Sequence, residues 1–203
     1  MTTQKKYELL QNDTINHNGR TLYRIKAITT FGTVFAGTLG GYIEKESNLK
    51  HLGNAWVYDN AKVYDSAEVY GNAKVYDSAE VYGNAEVWGS AEVYGNAKVW
   101  GNAEVWGSAE VYGNAEVWGS AKVRSFAVLS ERKMIFWASN VGTENGTLTV
   151  YNGKDGLLVT RGCFTGTVEE FLAKSDEVHD EKTKREYQLL IEVAKSRILG
   201  EAT

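Results

Sequence analysis

A six-residue unit that recurs without a gap from Gly53 to Arg124 constrains the fold of this chain more than any other feature. Its consensus is Gly/Asp, Asn/Ser, Ala, Lys/Glu, Val, Tyr/Trp, and a fading thirteenth unit, SFAVLS, follows the array. Ala and Val stand two residues apart, so an extended backbone points both to one face. Gly or Asp followed by Asn or Ser suits a sharp corner. Each hexad therefore predicts one short strand and one corner, whereas a helical period fits neither the spacing nor the glycines.

A second period, of 18 residues, indicates how the hexads stack. Residues 89–106 and 107–124 are identical at 14 of 18 positions. Units of this kind cannot bury their Ala and Val side chains alone, so they must stack on one another. Three hexads per coil predict a triangular parallel solenoid, and twelve hexads predict about four coils.

We predict three zones along the chain: an N-terminal β cap (1–52), the repeat body (53–130) and a C-terminal α+β module (131–203). The fold class is therefore mainly β, a parallel β-helix with a β cap at one end and an α+β module at the other. The module would cover the last coil, which otherwise exposes unpaired strand edges.

Three strands and two helices are predicted within the C-terminal module. The strand segments are KMIFWASNV, TLTVYNG and GLLVTRGCF, separated by turn signals. Thr167 and Glu170 fit a capping box that begins a short helix. A second helix is predicted over residues 181–199, with Gly200 closing it.

The 18-residue register also aligns side chains on the outside of the solenoid. Lys62, Glu80, Lys98 and Glu116 alternate in sign down one face. The columns at the ends of the hexads are Tyr58, Tyr76, Tyr94 and Tyr112; Tyr64, Tyr82, Trp100 and Trp118; and Tyr70, Trp88, Trp106 and Arg124. Exposed aromatic patches of this extent usually mark an interface. The alternative is that the rings only stack on one another and protect the solenoid edges.

Composition limits the class of partner. The net charge of −4 argues against a nucleic-acid backbone binder, which needs clustered Lys and Arg. Cys163 is the only cysteine, which suits a reducing compartment. The sequence contains neither an apolar signal segment nor a run long enough to span a membrane. We therefore expect a cytoplasmic protein without membrane contact, in the host cytoplasm if a phage encodes it.

The units VYGNAE and VWGSAE resemble the hexapeptide-repeat superfamily of left-handed parallel β-helices, and this resemblance implies left-handed coils and trimers. The wider layout is similar to hexapeptide-repeat proteins of bacteria and phages, many of which carry transferase names without a settled activity. That layout has a GT-x-GG element, here residues 37–41, before the repeats. It also has a C-terminal pattern W…VG…NGT…GCF-x-GT-x-EEF, here from Trp137 to Phe171.

Histidine content argues against the chemistry usual in that superfamily. Its acyltransferases use a histidine as general base, and its carbonic anhydrases use three histidines on a metal. The histidines here, His17, His51 and His179, all lie outside the repeats. We predict a solvated loop for His17, a capping role for His51 and a solvated linker for His179, and neither catalytic residues, metal ligands nor a cofactor. Cys163 is predicted to be a small buried hydrophobe.

The segment RGCFTGT, residues 161–167, is predicted to be a loop that leads into a helix N-terminus. Such a loop can bind an anion through its backbone N–H groups, although a turn with an ordinary helix cap is the alternative. Together with the columns it gives a candidate ligand-binding set: Trp88, Trp100, Trp106, Trp118, Arg124, Arg161, Thr165, Gly166 and Thr167.

Three functions remain open from the sequence. The first is a non-catalytic homo-oligomer, a trimer, that binds a nucleotide or a host protein, and one version is a phage counter-defence protein that sequesters a nucleotide signal. The second is a structural spacer or protein-interaction scaffold. The third is a hexapeptide-type transferase or another enzyme, acting at Cys163 or at an acidic pair, with Cys163 as the best candidate.

Overall fold

Short strands, one for each hexad, form the body of the protein. The structure is a computed structural model that describes residues 4–200. The first three residues of the predicted N-terminal zone and the last three of the C-terminal zone lie outside this range. Within the regular array each strand pairs in parallel with the strand 18 residues away, so that Lys98 lies beside Glu116 and Val99 beside Val117. The period of three hexads per coil is therefore confirmed.

Three parallel sheets form the sides of the solenoid. The first side contains β3 (Leu39–Ile43), β6 (Lys62–Val63), β9 (Glu80–Val81), β12 (Lys98–Val99) and β15 (Glu116–Val117). The second contains β4 (Leu49–Gly53), β7 (Glu68–Gly71), β10 (Glu86–Val87), β13 (Glu104–Val105) and β16 (Lys122–Val123). The third contains β5 (Trp56–Val57), β8 (Lys74–Val75), β11 (Glu92–Val93), β14 (Glu110–Val111) and β17 (Val128–Leu129).

Five coils result within the described part of the chain, because β3 and β4 form two sides of a coil ahead of the regular array and the first hexad supplies its third side, β5. The two sides ahead of the array lack the hexad consensus, and β3 depends on two glycines. A Cβ on Gly40 would lie 2.5 Å from the Val57 carbonyl oxygen, and one on Gly41 would lie 2.6 Å from that of Ala61. The Gly-Gly pair of the GT-x-GG element therefore lets β3 approach the neighbouring backbone closely.

The Ala and Val of every hexad are fully buried and form one continuous core along the solenoid axis. The corners are made by the Gly/Asp position, which takes a positive φ. At Gly101 φ is +73°, and a Cβ there would lie 3.0 Å from the amide nitrogen of Gly119 in the next coil. Stacked corners thus favour glycine for conformation and for space.

An antiparallel hairpin, β1 (Tyr7–His17) and β2 (Arg20–Ala27), extends the first side of the solenoid through β3. A short 3₁₀ helix follows at Glu46–Asn48. The Tyr7 hydroxyl donates to the Leu49 carbonyl (2.7 Å), and Lys6 Nζ donates to the Ala55 carbonyl (2.8 Å). Burial lowers the pKa of Lys6 to about 8. These contacts satisfy carbonyls at the open end of the first coil.

Four antiparallel strands and two helices form the C-terminal module, after a 3₁₀ turn at Arg132–Met134. The elements are β18 (Ile135–Val141), β19 (Gly146–Gly153), β20 (Gly156–Arg161), β21 (Phe164–Thr167), α1 (Val168–Val178) and α2 (Glu181–Leu199). The sequence predicted three strands. The third is broken because Gly162 turns the chain at φ +57°, and Phe164–Thr167 returns as a fourth strand.

Both helices confirm the predicted capping. Thr167 Oγ1 accepts from the Glu170 amide (3.1 Å), and Glu170 Oε2 accepts from the Thr167 amide (2.8 Å). Gly200 ends α2 in the left-handed conformation. Within residues 4–200, neither helix has the length and apolarity needed to cross a lipid bilayer.

The module closes the last coil with polar side chains from β19. The backbone N–H of Lys122 donates to Thr149 Oγ1 (3.0 Å), and that of Arg124 donates to the Tyr151 hydroxyl (3.3 Å). Asn152 Nδ2 donates to the Val128 carbonyl (3.1 Å). The open strand edges of the last coil are thus covered by a second sheet, as the sequence predicted.

Candidate functional site

The three aromatic columns are self-stacked. Trp88 and Trp106 lie with ring centroids 4.8 Å apart, and Tyr76 and Tyr94 lie 4.7 Å apart, both nearly parallel. Most of these rings are only half-exposed because each covers its neighbour. Trp118, at the end of its column, is 45% exposed and is therefore the ring most accessible to a ligand.

Trp118 forms one wall of a groove between the solenoid and the C-terminal module. One face of the Trp118 ring stacks on Trp100, with a centroid distance of 5.9 Å. Trp137 of β18 meets Trp118 edge-on, with centroids 4.6 Å apart and an interplanar angle of 86°. A Cβ on Gly119 would lie 3.0 Å from Trp137 Nε1, so the absence of a side chain at this corner leaves space for the Trp137 indole.

The groove has a volume of about 770 Å³ and combines aromatic walls with cations. Its lining comprises Trp118, Trp137, Phe136, Ile135 and Val193 together with Arg132, Lys133 and Arg197. The 3₁₀ turn that follows the last coil presents two of the cations, and the last turn of α2 presents the third.

The ion pairs that the cations of the groove form with protein carboxylates are exposed and therefore weak. Arg132 pairs with Glu116 but is 73% exposed, and Lys133 lies 3.4 Å from Glu131, where both side chains are exposed. The Arg197 side chain is exposed. Exposed ion pairs contribute little, so an incoming anion can compete for these groups.

Part of the candidate set from the sequence does come together at the end of another column. The Arg124 guanidinium lies 5.5 Å from the Trp106 ring centre, and its Nη2 donates to the Cys163 carbonyl (2.9 Å). Its Nε donates to Thr165 Oγ1. These bonds hold β21 against the last coil, so the Arg124 guanidinium has a structural role.

Arg161 lies apart from Arg124. In the β20–β21 ladder Thr160 pairs with Thr165 and Arg161 with Phe164. Since successive residues of a strand point to opposite faces, Thr165 faces the solenoid and Arg161 faces the helices. Arg161 Nε donates to the Tyr187 hydroxyl (3.0 Å) on that second face.

The open anion-binding loop predicted for residues 161–167 is not formed. Thr165 and Gly166 belong to the β20–β21 ladder, and Thr167 is occupied in the capping box of α1. The alternative, a turn followed by an ordinary helix cap, is the one that the structure supports. The physical reason is the turn at Gly162, a residue that was predicted to lie inside a strand.

Three other expectations need correction. Cys163 is exposed, because it lies in that same turn. His17 is the last residue of β1, packs edge-on against Tyr64 and lies 3.4 Å from Glu80 Oε2. His179 is the C-cap residue that follows α1, where its Nδ1 lies 3.1 Å from Ser175 Oγ.

His51 has the predicted capping role. Its Nδ1 accepts from the Lys6 amide (3.3 Å), and burial lowers its pKa. Among residues 4–200 there is no cluster of three His, Cys, Asp or Glu side chains placed to hold a metal ion.

Four groove residues were not among the candidates predicted from the sequence: Trp137, Arg132, Lys133 and Arg197. A signal was present: the 18-residue register, continued past Trp118, reaches residue 136 inside the segment ERKMIFW, where two cations precede two aromatic residues. Arg197 had no comparable signal, because its position depends on how α2 packs against the module.

Comparisons with known proteins agree with the fold. No protein-family model matches the sequence. Over 38 residues the chain is 50% identical to a protein named "Uncharacterized acetyltransferase YdcK" from Escherichia coli (strain K12). The match covers 19% of this chain and 12% of the length of that relative. The parallel β-solenoid together with this similarity fits a hexapeptide-repeat β-helix family.

Proposed function

We propose that this protein is a non-catalytic binding protein whose ligand is a nucleotide held in the groove between Trp118 and Trp137. The observation that carries the proposal is the pairing of indole walls with three cations in one groove of about 770 Å³. Nucleobases stack on aromatic side chains, and phosphates pair with Arg and Lys. The groove size falls within the usual range for small-molecule sites.

The groove has two kinds of surface, one aromatic and one cationic. The Trp118 and Trp137 rings and Phe136 provide contacts for a planar base. Arg132, Lys133 and Arg197 provide charge for a phosphate, against the negative net charge of the whole chain. A ligand that has both a ring and a phosphate therefore fits better than either part alone.

Isothermal titration with cyclic mononucleotides, cyclic dinucleotides and ADP-ribose tests the proposal. We expect at least one of them to bind, with an affinity that falls as salt is raised. Arg197→Gln should weaken binding roughly tenfold, because it removes one cation from the phosphate. Lys182→Gln is the matched control: it removes the same charge from the exposed first turn of α2.

Two results would overturn the proposal. One is the absence of binding by every member of the panel at millimolar concentration. The other is an equal loss of affinity in Arg197→Gln and Lys182→Gln, which would mean that only the overall charge matters.

Self-association, expected from the sequence as a trimer, is part of the same proposal. The columns leave partly exposed aromatic edges along the solenoid, which would be covered between copies of the chain. Light scattering should then give a mass three times the 22.5 kDa of one chain. A monomeric mass would contradict the trimer and leave the groove proposal to be judged by titration.

A transferase is the second candidate, favoured by the acetyltransferase name of the E. coli relative. Acetyl-CoA carries a nucleotide, so it belongs in the same titration. Release of free CoA in the presence of amine or hydroxyl acceptors, lost in Arg197→Gln but not in Lys182→Gln, would favour transfer over simple binding.

A further inference from the structure

We infer that a second cleft, on the helix-covered face of the C-terminal module, binds a small organic anion that has an oxyanion head and an apolar body. The cleft lies between the β20–β21 turn and the two helices and has a volume of about 330 Å³. It is separate from the Trp118 groove, so its occupant is independent of the ligand proposed there.

Arg161 is the charge at the base of this cleft. Its side chain is only 11% exposed. Nε donates to the Tyr187 hydroxyl (3.0 Å) and Nη2 donates to the Val141 carbonyl (3.1 Å), so both of these partners are neutral. The nearest carboxylate, that of Glu144, is 3.9 Å away and 84% exposed.

A buried guanidinium without a close counter-charge is costly, and an oxyanion beside Nη1 would compensate it. Glu144 supplies only a weak and solvent-exposed substitute. A ligand carboxylate or phosphate that displaces Glu144 would therefore gain a bidentate or charge-assisted contact at little cost.

The space for the Arg161 guanidinium is built into the chain. A Cβ on Gly146 would collide with the guanidinium, and a Cβ on Gly142 would collide with the Tyr187 hydroxyl that holds it. Glu186 Oε2 accepts from the Gly142 amide (3.0 Å), which fixes the adjacent turn. The arrangement is thus preorganised by two glycines and a buried tyrosine.

Other groups of the cleft agree with an anion of mixed character. Lys174 and His179 line it as further cationic or titratable groups. Lys174 pairs with Glu177 (3.1 Å), but both side chains are more than half exposed. Phe164, Phe171 and Val178 supply the apolar wall. Cations and apolar surface in a small cleft favour an aromatic or branched carboxylate or the corresponding phosphate ester.

Cys163, the single cysteine, lines the mouth of the cleft and is exposed, so it can report on the site. Iodoacetate and iodoacetamide both alkylate a thiol: the sulfur forms a bond to the CH₂ carbon, iodide leaves and the thiol proton passes to solvent. Only iodoacetate carries the charge that the cleft should attract. The ratio of the two rates, iodoacetate over iodoacetamide, therefore measures attraction of an anion and cancels the intrinsic reactivity of the thiol.

We expect this ratio to fall roughly fivefold in Lys174→Gln and in Arg161→Gln relative to the unmodified sequence. Arg161→Lys should retain most of it. Lys45→Gln, an exposed charge at the opposite end of the solenoid, should leave it unchanged. Benzoate and phenyl phosphate should protect Cys163 from alkylation more strongly than benzamide does.

Amide NMR shifts give a second readout that does not depend on Cys163. Benzoate should shift the amides of residues 142–146 and 161–163, and at the same benzoate concentration the shifts should be smaller in Lys174→Gln, whose exposed position should leave the fold intact. Equal alkylation ratios in the unmodified protein, Lys174→Gln and Lys45→Gln would overturn the inference. Failure of both benzoate and phenyl phosphate to shift these amides at millimolar concentration would also overturn it.

Discussion

The hydroxyl of Tyr70 donates a 2.8 Å hydrogen bond to Glu86 Oε2, a residue that lies sixteen positions later in the next coil. The same relationship recurs at every described column tyrosine that has a glutamate sixteen residues on. The pairs are Tyr64–Glu80, Tyr70–Glu86, Tyr76–Glu92 and Tyr94–Glu110. Tyrosine and tryptophan therefore stack alike in the columns, but these four tyrosines also form a hydrogen bond between one coil and the next.

Tyr70→Phe should lower the stability of the solenoid by about 1 kcal/mol, because it removes the hydroxyl and keeps the ring stack on Trp88. Tyr82→Phe is the control. Tyr82 stacks in the same manner, but the residue sixteen positions later is Lys98. Urea unfolding followed by tryptophan fluorescence measures both variants, and an equal shift in the two would contradict the role of the Tyr–Glu bond.

Alkaline pH should loosen the same columns. Burial, the charge of Glu110 and the hydrogen bond to it raise the pKa of Tyr94 to about 12. Burial and the Glu86 bond likewise raise the pKa of Tyr70. A raised tyrosine pKa gives stability that is full below about pH 10, the unfolded value, and that is lost as the pH rises toward the folded value.

Unfolding midpoints should therefore fall steadily above about pH 10. Ultraviolet titration of tyrosinate should show that part of the tyrosines ionise only at higher pH in the folded protein. Simultaneous ionisation of all tyrosines at their ordinary pKa, without loss of structure, would be inconsistent with this account.

The sequence was a good guide wherever its own periods determine the neighbours of a residue. The step from Lys98 to Glu116, the stack of Trp88 on Trp106 and the span of α2 all follow from periods of 18 and 3.6 residues. Each of these depends on a sequence pattern that is repeated many times, so one residue that departs from the pattern does not change the prediction for the others.

The sequence was a poor guide where a single turn decides which face a side chain takes. Gly162 ends one strand early, and this places Arg161 and Thr165 on opposite faces of one sheet and exposes Cys163. The groove depends on Trp137 meeting Trp118 between two separate units, for which no repeat exists. Contacts between different elements are not encoded in the pattern of either one.

Thr149→Val should weaken the contact between the C-terminal module and the solenoid. Thr149 is fully buried, and its hydroxyl is the acceptor for the Lys122 amide at the open edge of the last coil. The valine side chain has nearly the same shape but leaves that amide without a partner, which costs about 1–3 kcal/mol.

Hydrogen exchange at the Lys122 amide should accelerate in this variant before the rest of the solenoid is affected. The control is Thr147→Val on the same strand, whose hydroxyl bonds only to the exposed Ser139. A change of equal size in the two variants would rule out a specific role for the Thr149 bond.

Removal of one whole coil, residues 89–106, should leave a folded protein, because each backbone group would meet the same type of group in the next coil. It should be less stable than the full chain because it has one coil fewer to stack, and the charges on one face should add a local repulsion. The face that alternates Lys62, Glu80, Lys98 and Glu116 loses Lys98, so two glutamates become neighbours. Directly opposed like charges destabilise a parallel ladder by a few tenths of a kcal/mol or more.

Glu116→Gln distinguishes this charge effect from a general loss of contacts. In the shortened protein the substitution should lower the unfolding midpoint less than in the full-length protein, because in the shortened protein it also removes the repulsion from Glu80, while the pair with Arg132 is lost in both. In the full-length protein it should lower the midpoint, because Glu116 there lies between Lys98 and Arg132. Thermal unfolding of the four proteins forms a double-mutant cycle, and effects of equal size in both backgrounds would show that charge alternation does not set the pairing of coils.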